Sequence, residues 1–134
     1  MTEQVCPRLV VVIDDDEDVR DALMDALTDA DFKPLGASNG ANALDRLRAL
    51  DARPCLILLD VMMPEMDGWE FRAAQRRDPA LAEIPVVVLT AHADARQAAA
   101  SMQAAGFLRK PVSRESLLAT VGRFCQPRGD DLRR

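Results

Sequence analysis

The sequence predicts an α/β fold in which five strands form a doubly wound parallel sheet covered by five helices. Short apolar runs rich in Val, Ile and Leu alternate with longer stretches whose apolar residues recur every three or four positions. The central short runs contain no polar residue, which is typical of parallel strands buried on both faces. Because successive parallel strands need a crossover between them, this alternation places helices on both faces of the sheet.

The strands are predicted from these short runs. In chain order the runs are Leu9–Ile13, Lys33–Ala37, Leu56–Leu59, Val86–Leu89 and Phe107–Arg109. The second run contains Pro34, which cannot donate a ladder hydrogen bond, so we expect this strand at an edge of the sheet.

The helices are predicted from apolar residues that share one face of a 3.6-residue period. In chain order these stretches are Val19–Ala30, Ala43–Leu50, Trp69–Arg77, Ala95–Ala105 and Leu117–Phe124. Asn39 and Ser113 are the predicted caps of the second and fifth helices. Gly106 is the predicted stop of the fourth helix.

Composition excludes several classes of function. The chain has 22 acidic and 17 basic residues, and a net charge of −5 disfavours direct binding to a nucleic-acid backbone. Aromatic residues make up 4%, which leaves few rings for stacking on bases. No apolar run approaches the ~20 residues needed to cross a bilayer. The chain also lacks a Gly-rich phosphate loop, so we do not expect a nicotinamide-dependent or P-loop enzyme.

The length of 134 residues fits one domain, which we place at residues 1–125, with a flexible tail at 126–134. The N-terminus shows no signal-peptide pattern. The three cysteines, Cys6, Cys55 and Cys125, form no CxxC pair. We therefore expect reduced, mostly buried thiols rather than a disulfide, in a cytoplasmic protein.

Chemically capable residues follow the predicted strands directly. Asp14, Asp15 and Asp16 come after the first strand and Asp60 after the third, while Thr90 and Lys110 follow the fourth and fifth. The carboxyl ends of parallel strands share one edge of a sheet, so these side chains are expected to converge. Converging carboxylates repel one another unless a cation lies among them, and Mg²⁺ prefers oxygen ligands. This set suggests phosphoryl transfer to or from a carboxylate.

Several of these residues also have purely structural interpretations. Asp16 and Asp18 suit a helix N-terminus, where negative charge is favourable. Thr90 is an ordinary strand residue in isolation. Lys110 is one of only two lysines among the 17 basic residues, which suggests that a compact ammonium is needed there. At the solvent rim it is expected to contribute little to stability.

Other polarisable or titratable residues are interpreted as structural. His92 is expected to be a surface loop residue rather than a base. Met62, Met63 and Met66 are expected to pack within their loop rather than to form a binding stripe.

The segments IDDDED (13–18), LDVMMPEMDG (59–68), LTA (89–91) and LRKP (108–111) resemble the motifs of bacterial two-component response-regulator receiver domains. The likeness is to the single-domain, chemotaxis-regulator type and extends over about residues 9–124. The motifs are specific as an ordered set. The resemblance implies a flavodoxin-like sheet with strand order 2-1-3-4-5.

The resemblance also implies an acceptor and a metal site. Asp60 would be the phosphoacceptor, and Mg²⁺ would be the cofactor. Asp15 and Asp60 would bind the ion through carboxylates, Met62 through its main-chain carbonyl, and Asp14 through a bound water.

A conformational switch is implied in the same way. Thr90 would hydrogen-bond the phosphoryl group, Lys110 would contact it by charge, and Phe107 would be the switch aromatic. Two departures from the family pattern concern this switch. The Thr90–Lys110 stretch is about two residues shorter than usual, which predicts a short or shifted fourth helix, and the switch residue is Phe rather than Tyr. We expect output through the fourth helix, the Phe107 strand and the fifth helix.

The expected role is a signalling switch rather than an enzyme, although such a protein catalyses its own phosphotransfer and dephosphorylation. Its expected partners are a sensor histidine kinase or phosphotransfer protein and a downstream protein, with the chain a monomer or weak dimer. Two alternatives stay open: a receiver-like interaction module that acts without phosphorylation, and a Mg²⁺-dependent phosphohydrolase that uses the D-x-D pattern of Asp14 and Asp16. The chain could be a complete single-domain regulator or a receiver domain of a longer protein.

Overall fold

Within the described residues, five strands form one parallel sheet in the order β2-β1-β3-β4-β5. A computed structural model describes residues 5–63, 66–91 and 94–126. The strands are β1 Val5–Ile13, β2 Lys33–Ala37, β3 Arg53–Asp60, β4 Val86–Thr90 and β5 Gly106–Arg109. The predicted fold class and strand order are confirmed, and β2 with its Pro34 lies at an edge.

The helices of the described residues alternate with these strands. They are α1 Glu17–Asp29, α2 Gly40–Arg48, α3 Gly68–Arg77, α4 Ala95–Ser101 and α5 Arg114–Val121. Asn39 caps α2 by accepting from the Asn42 N–H, and Ser113 caps α5 by accepting from the Ser116 N–H. Both predicted caps are confirmed.

The sheet separates two apolar cores. Alternate residues of β1 point to opposite faces, so Val11 and Ile13 belong to the core under α2, α3 and α4, and Val10 and Val12 to the core under α1 and α5. Burial on both faces explains why the central strands carry no polar alternation.

The fourth helix is shorter than its Ala-rich sequence predicts. It ends at Ser101 rather than Ala105, and Gly106 begins β5 instead of stopping the helix. The reversal occurs at Gln103, whose φ of 55° lies in the left-handed region. The short Thr90–Lys110 connection leaves few residues for both a helix and the return to β5. The chain must therefore leave the helix early, although the alanines after Ser101 favour a helix.

The expectation that all three cysteines are free thiols is wrong. Cys55 at the start of β3 and Cys125 after α5 form a disulfide across 70 residues of sequence, with Cα atoms 5.5 Å apart. Cys6 is free and half-buried. The pairing follows from topology, since the main-chain N–H of Gln126 donates to the Pro7 carbonyl and holds the end of α5 against β1, the strand next to β3.

No helix in the described parts of the chain combines the length and the apolar character needed to span a bilayer. The predicted tail at 126–134 lies almost wholly outside the described residues, of which Gln126 is the last.

Candidate functional site

The predicted site residues lie together where the carboxyl ends of four strands meet. Asp14 follows β1, Asp60 and Thr90 are the last residues of β3 and β4, and Lys110 follows β5. The Asp14, Asp60 and Thr90 side chains are almost completely buried, although each is polar. Buried polar groups need partners, so their contacts decide what the site can do.

The Lys110 ammonium lies between two buried carboxylates. Its Nζ is 2.9 Å from Oδ2 of Asp14 and 3.3 Å from Oδ1 of Asp60. The Lys110 main-chain N–H donates to the Thr90 carbonyl at 2.9 Å, which holds the start of the Lys110–Pro111 segment against β4. One cation therefore offsets two negative charges, and the cluster keeps an excess of negative charge.

Asp14 is held from several sides. Its Oδ1 accepts the Asp16 N–H at 3.0 Å, and its main-chain carbonyl accepts from the Arg20 guanidinium at 2.8 Å. Its Oδ2 is completely buried and, apart from the ion pair with Lys110, has no hydrogen-bond partner among the described residues. This oxygen can accept from a further ligand, such as a water molecule on a bound cation.

Burial and the excess of negative charge both affect the pKa of Asp60. Burial first, and then the neighbouring Asp14 carboxylate, raise the pKa of Asp60 from 3.8 to about 7. Lys110 lowers this pKa but does not compensate for those two effects. Without a bound cation, therefore, Asp60 changes between its protonated and its ionised form near neutral pH.

Burial lowers the pKa of Lys110, but the contacts with Asp14 and Asp60 outweigh burial and leave that pKa above its usual value. The Lys110 side chain is 21% exposed. Lys110 is therefore not an isolated rim residue, because its ammonium offsets two buried carboxylates, and we now expect its loss to destabilise the fold.

The acidic cluster fits a hard divalent cation. Carboxylate oxygens of Asp14, Asp15 and Asp60 all lie within 4.8 Å of one another, and Asp15 is exposed to solvent. Oxygen donors in this number, including Oδ2 of Asp14, whose partner among the described residues is the Lys110 ammonium, are the donor set that Mg²⁺ prefers. A bound cation would also relieve the repulsion that raises the Asp60 pKa.

The loop after Asp60 is held by backbone contacts. The Met62 N–H donates to Oδ1 of Asp60 at 3.3 Å, and the Gly68 N–H donates to the Val61 carbonyl at 3.0 Å. A Cβ on Gly68 would lie 2.9 Å from Val61 Cα, so only glycine allows α3 to begin this close to the loop. Asp67 caps α3. Residues 64 and 65 of the motif lie outside the described residues.

Phe107 and Thr90 lie on adjacent strands, with Phe107 opposite Val88 in the β4–β5 register. The Phe107 ring is half-buried against the α4 side of the sheet, and the Arg96 guanidinium of α4 lies 5.6 Å from its centroid. Thr90 is buried at the end of β4. The residues predicted to form a switch are therefore grouped around α4.

Other predicted residues have structural places. The Asp16 carboxylate caps α1 by accepting from the N–H groups of Asp18 and Val19, which is the structural interpretation of this acidic run. Met63 is buried and Met66 half-buried, but Met62 is 69% exposed, so loop packing is wrong for Met62. His92 lies outside the described residues.

Sequence reasoning missed two residues near the site. Arg20 fixes the loop that carries Asp14, and the only signal was a basic residue in the first turns of an acidic helix. Trp69 is 43% exposed, and its indole N–H donates to the Ser101 hydroxyl at 3.3 Å, which links α3 to α4.

Comparison with known proteins supports one family. The family model described as the response regulator receiver domain matches residues 10–122. A 14.6 kDa protein from the sodA1 3′ region of Leptolyngbya boryana is 37% identical over 118 residues, which is 87% of this chain and 88% of that protein. The chemotaxis response regulator CheY4 of Vibrio cholerae has a similar structure, with a TM-score of 0.80 and 30% identity over 89% of this chain and 99% of that one.

Other similar proteins are longer. The transcriptional regulatory protein GltR of Pseudomonas aeruginosa is 32% identical over 133 residues, 93% of this chain but 54% of GltR. The response regulator Rre1 of Synechocystis is 34% identical over 86% of this chain and 50% of its own length. The chain thus spans about half the length of these two regulators.

Proposed function

Because this chain belongs to the response-regulator receiver family, we propose that it is a phosphorylation-dependent signalling switch whose acceptor is Asp60. The phosphoryl group would come from a sensor histidine kinase or a phosphotransfer protein. The observation that carries the proposal is the Asp60 carboxylate at a strand end, 3.3 Å from Lys110 and grouped with the carboxylates of Asp14 and Asp15.

The nucleophile is positioned through one of its two oxygens. Oδ1 of Asp60 accepts from the Met62 N–H and pairs with Lys110. Oδ2 is then the oxygen that forms the new bond to phosphorus, while the bond from phosphorus to the donor imidazole nitrogen breaks. The imidazole keeps the electron pair of that bond and takes up a proton, and the product is an aspartyl phosphate.

The residues around Asp60 would stabilise the charge that develops on the phosphoryl oxygens. The Lys110 ammonium is held at the site by Asp14, and Thr90 ends the neighbouring strand. When bound by Asp15, Asp60, the Met62 carbonyl and, through water, Asp14, Mg²⁺ would neutralise carboxylate and phosphoryl charge. A carboxyl group with a pKa of about 7 is half protonated near neutral pH, so relief of the surrounding negative charge would also keep the nucleophile ionised.

Output would run through the surface of α4, β5 and α5. A phosphoryl group on Asp60 would draw Thr90 toward it and open space for the Phe107 ring, which now packs beside α4 under Arg96. The partner on this surface would be a downstream protein rather than nucleic acid or membrane. We propose a cytoplasmic location, with the chain a monomer or weak dimer; the Cys55–Cys125 disulfide removes reduced thiols as an argument for that location.

The phosphohydrolase alternative depends on the D-x-D pattern, whose two carboxylates do not form one site in the structure. The pattern requires Asp14 and Asp16 to act together, but the Asp16 carboxylate caps α1. The metal-competent group among the described residues is instead Asp14, Asp15 and Asp60. The phosphorylation-independent module is the alternative that the experiment below separates from the switch.

The experiment is intact-mass spectrometry after incubation with acetyl phosphate, with Mg²⁺ or with EDTA. We expect the mass of one phosphoryl group to be added only with Mg²⁺, and to be lost on treatment with hydroxylamine, which cleaves acyl phosphates. Asp60→Asn should abolish the adduct.

The matched control is Asp16→Asn, which removes a neighbouring carboxylate outside the cluster and should keep the adduct. An adduct of equal yield on Asp60→Asn would assign the acceptor elsewhere. No adduct on the folded wild-type protein with Mg²⁺ would favour the module that acts without phosphorylation.

A further inference from the structure

A groove of about 400 Å³ lies between α3 and α4, beside the loop that follows Asp60. We call it the α3–α4 groove. Its walls are mainly apolar and include Met62, Trp69, Gln97, Ala98 and Ser101, and its inner end reaches Thr90. Asp94, at the N-cap of α4, also lines the groove but not the basic depression that continues from it. The volume is within the range of pockets that hold a ligand or an anchoring side chain.

The groove holds the most exposed large apolar side chains of the described residues. Met62 is 69% exposed and Trp69 is 43% exposed, whereas the third large exposed apolar residue, Val5, lies at the far end of β1. Exposed Trp and Met are typical of the energetically important centre of protein interfaces. The Trp69 indole is also fixed by its bond to Ser101, so little of its side-chain freedom would be lost on binding.

One end of the groove is basic. A second depression lined by Trp69, Arg72, Arg76 and Ser101 continues from it along the outer face of α3. The Arg72 guanidinium donates to the main-chain carbonyls of Met102 and Gln103 and to the Gln75 side chain. All three acceptors are neutral, so these bonds fix the position of the charge without neutralising it.

The charge at this end has no carboxylate partner within the described residues. Arg72 and Arg76 form no ion pair there, and the carboxylate of Glu70 in the first turn of α3 accepts the Asp67 N–H in the capping box. Burial, and after it the nearby positive charge of Arg76, lower the pKa of Arg72. A local basic patch on a chain of net charge −5 is complementary to an acidic ligand.

We propose that the α3–α4 groove binds an acidic amphipathic segment of a partner protein, with an apolar side chain between Met62, Trp69 and Ala98 and a carboxylate at Arg72 and Arg76. This surface shares α4 with the surface invoked for output, but its other wall is α3 rather than β5 and α5. Binding does not require phosphorylation, so the experiment uses the unphosphorylated protein and its outcome is independent of the proposed function.

The probe is a random peptide library displayed on phage and selected against the whole chain. We expect the enriched peptides to combine Leu, Phe or Trp with Asp or Glu. Their binding to the purified protein should change the fluorescence of Trp69, which is the only tryptophan of the chain. Affinity should fall about tenfold or more in Arg76→Glu and decrease with added salt.

The matched control is Arg123→Glu, which makes the same charge change on an exposed residue beyond α5 and should leave affinity unchanged. Ala98→Phe fills the groove and should also weaken binding. If that variant does not fold, the surface variant Arg76→Glu decides the matter.

Any of four results would overturn the proposal. The library could yield no binder that changes Trp69 fluorescence, or binders could lack acidic residues or keep their affinity for Arg76→Glu. Alternatively, sedimentation could show self-association that Arg76→Glu abolishes, which would make a second copy of the chain the occupant of the groove.

Discussion

At the scale of single residues, the main feature of the site is its excess of negative charge. Asp14 and Asp60 are buried at the ends of neighbouring strands, and Lys110 is the ammonium that contacts both. A buried charge that loses its partner is strongly destabilising, whereas an exposed ion pair contributes little. The same residues that would carry phosphoryl transfer therefore also control local stability.

Lys110→Ala should destabilise the folded protein by about 1–3 kcal/mol at about pH 8, because it leaves two buried carboxylates without their cation. The loss should shrink at about pH 5, where Asp60, with its pKa already raised to about 7, is protonated in the folded state. Urea unfolding followed by far-UV circular dichroism measures this. Lys33→Ala, at the other and exposed lysine, is the control, and equal effects of both variants would contradict the role given to Lys110.

The raised pKa of Asp60 should also make the stability of the protein fall as the pH rises. A group whose pKa is raised in the folded state stabilises the protein below its unfolded pKa, and this contribution is lost as pH rises through about 7. Stability of the metal-free wild type should therefore fall between about pH 4 and about pH 7, and fall less in Asp60→Asn. A metal-free Asp60→Asn with the same pH profile as wild type would show that Asp60 is not the group responsible.

Mg²⁺ should reverse this loss, since a cation at the ionised cluster would bind the folded state alone. Below about pH 7 the ion must displace the Asp60 proton, so the apparent affinity should fall about tenfold for each pH unit. Isothermal titration calorimetry at several pH values, with Asp60→Asn as the reference, measures the affinity. Affinity that does not change with pH would place the ion elsewhere.

At the scale of elements, α3 and α4 differ in how firmly they are held. The ten-residue α3 has a capping box and buries Phe71, whereas α4 has seven residues, buries only Ala95 and Ala99, and its N-cap Asp94 makes no side-chain capping bond. Little apolar area and a weak cap mean a low free energy of local opening. The element beside Phe107 is therefore the one that a local charge change can most readily alter.

Hydrogen exchange of the unphosphorylated protein should show lower protection in α4 than in α3. Beryllofluoride with Mg²⁺, which mimics the phosphoryl group, should change protection across residues 95–107, because Thr90 and Phe107 border α4. Asp60→Asn with the same reagent is the control. Changes confined to α1 and α2 would contradict output through α4, even if Asp60 is the acceptor.

At the scale of the whole molecule, the disulfide and the site lie at opposite ends of the central strand β3. Cys55 is near the amino end of β3, and Cys125 follows α5. The cross-link ties the last helix to the central sheet and closes a loop of 70 residues. A bond of this kind stabilises the fold mainly by restricting the unfolded chain, without touching the acidic cluster.

Reduction of this bond, or Cys125→Ser, should lower the free energy of unfolding by about 2–4 kcal/mol, the size expected for a long closed loop. Phosphorylation of the folded protein should be unaffected. Urea unfolding with and without dithiothreitol measures the first effect, with Cys6→Ser as the control. If thiol titration of the unreduced protein unfolded in urea found three reactive cysteines instead of Cys6 alone, the disulfide would be absent.

The sequence by itself determined the fold class. Short, wholly apolar runs alternate along the chain with stretches of helical period, and both patterns indicate which residues are buried. It also determined which residues stand at the strand ends, since Asp14, Asp60, Thr90 and Lys110 each follow an apolar run. Caps such as Asn39 and Ser113 were predictable because capping is a local interaction. The order of the motifs was enough to indicate the family.

Tertiary structure alone decided which of these residues touch, because contact across a sheet depends on strand order and register. It paired Cys55 with Cys125, ended α4 at Ser101, and put Lys110 between two carboxylates instead of at the rim. It also set Trp69 and Met62 in an open groove. Each outcome depends on residues far apart in sequence, whose proximity no local pattern of hydrophobicity or propensity encodes.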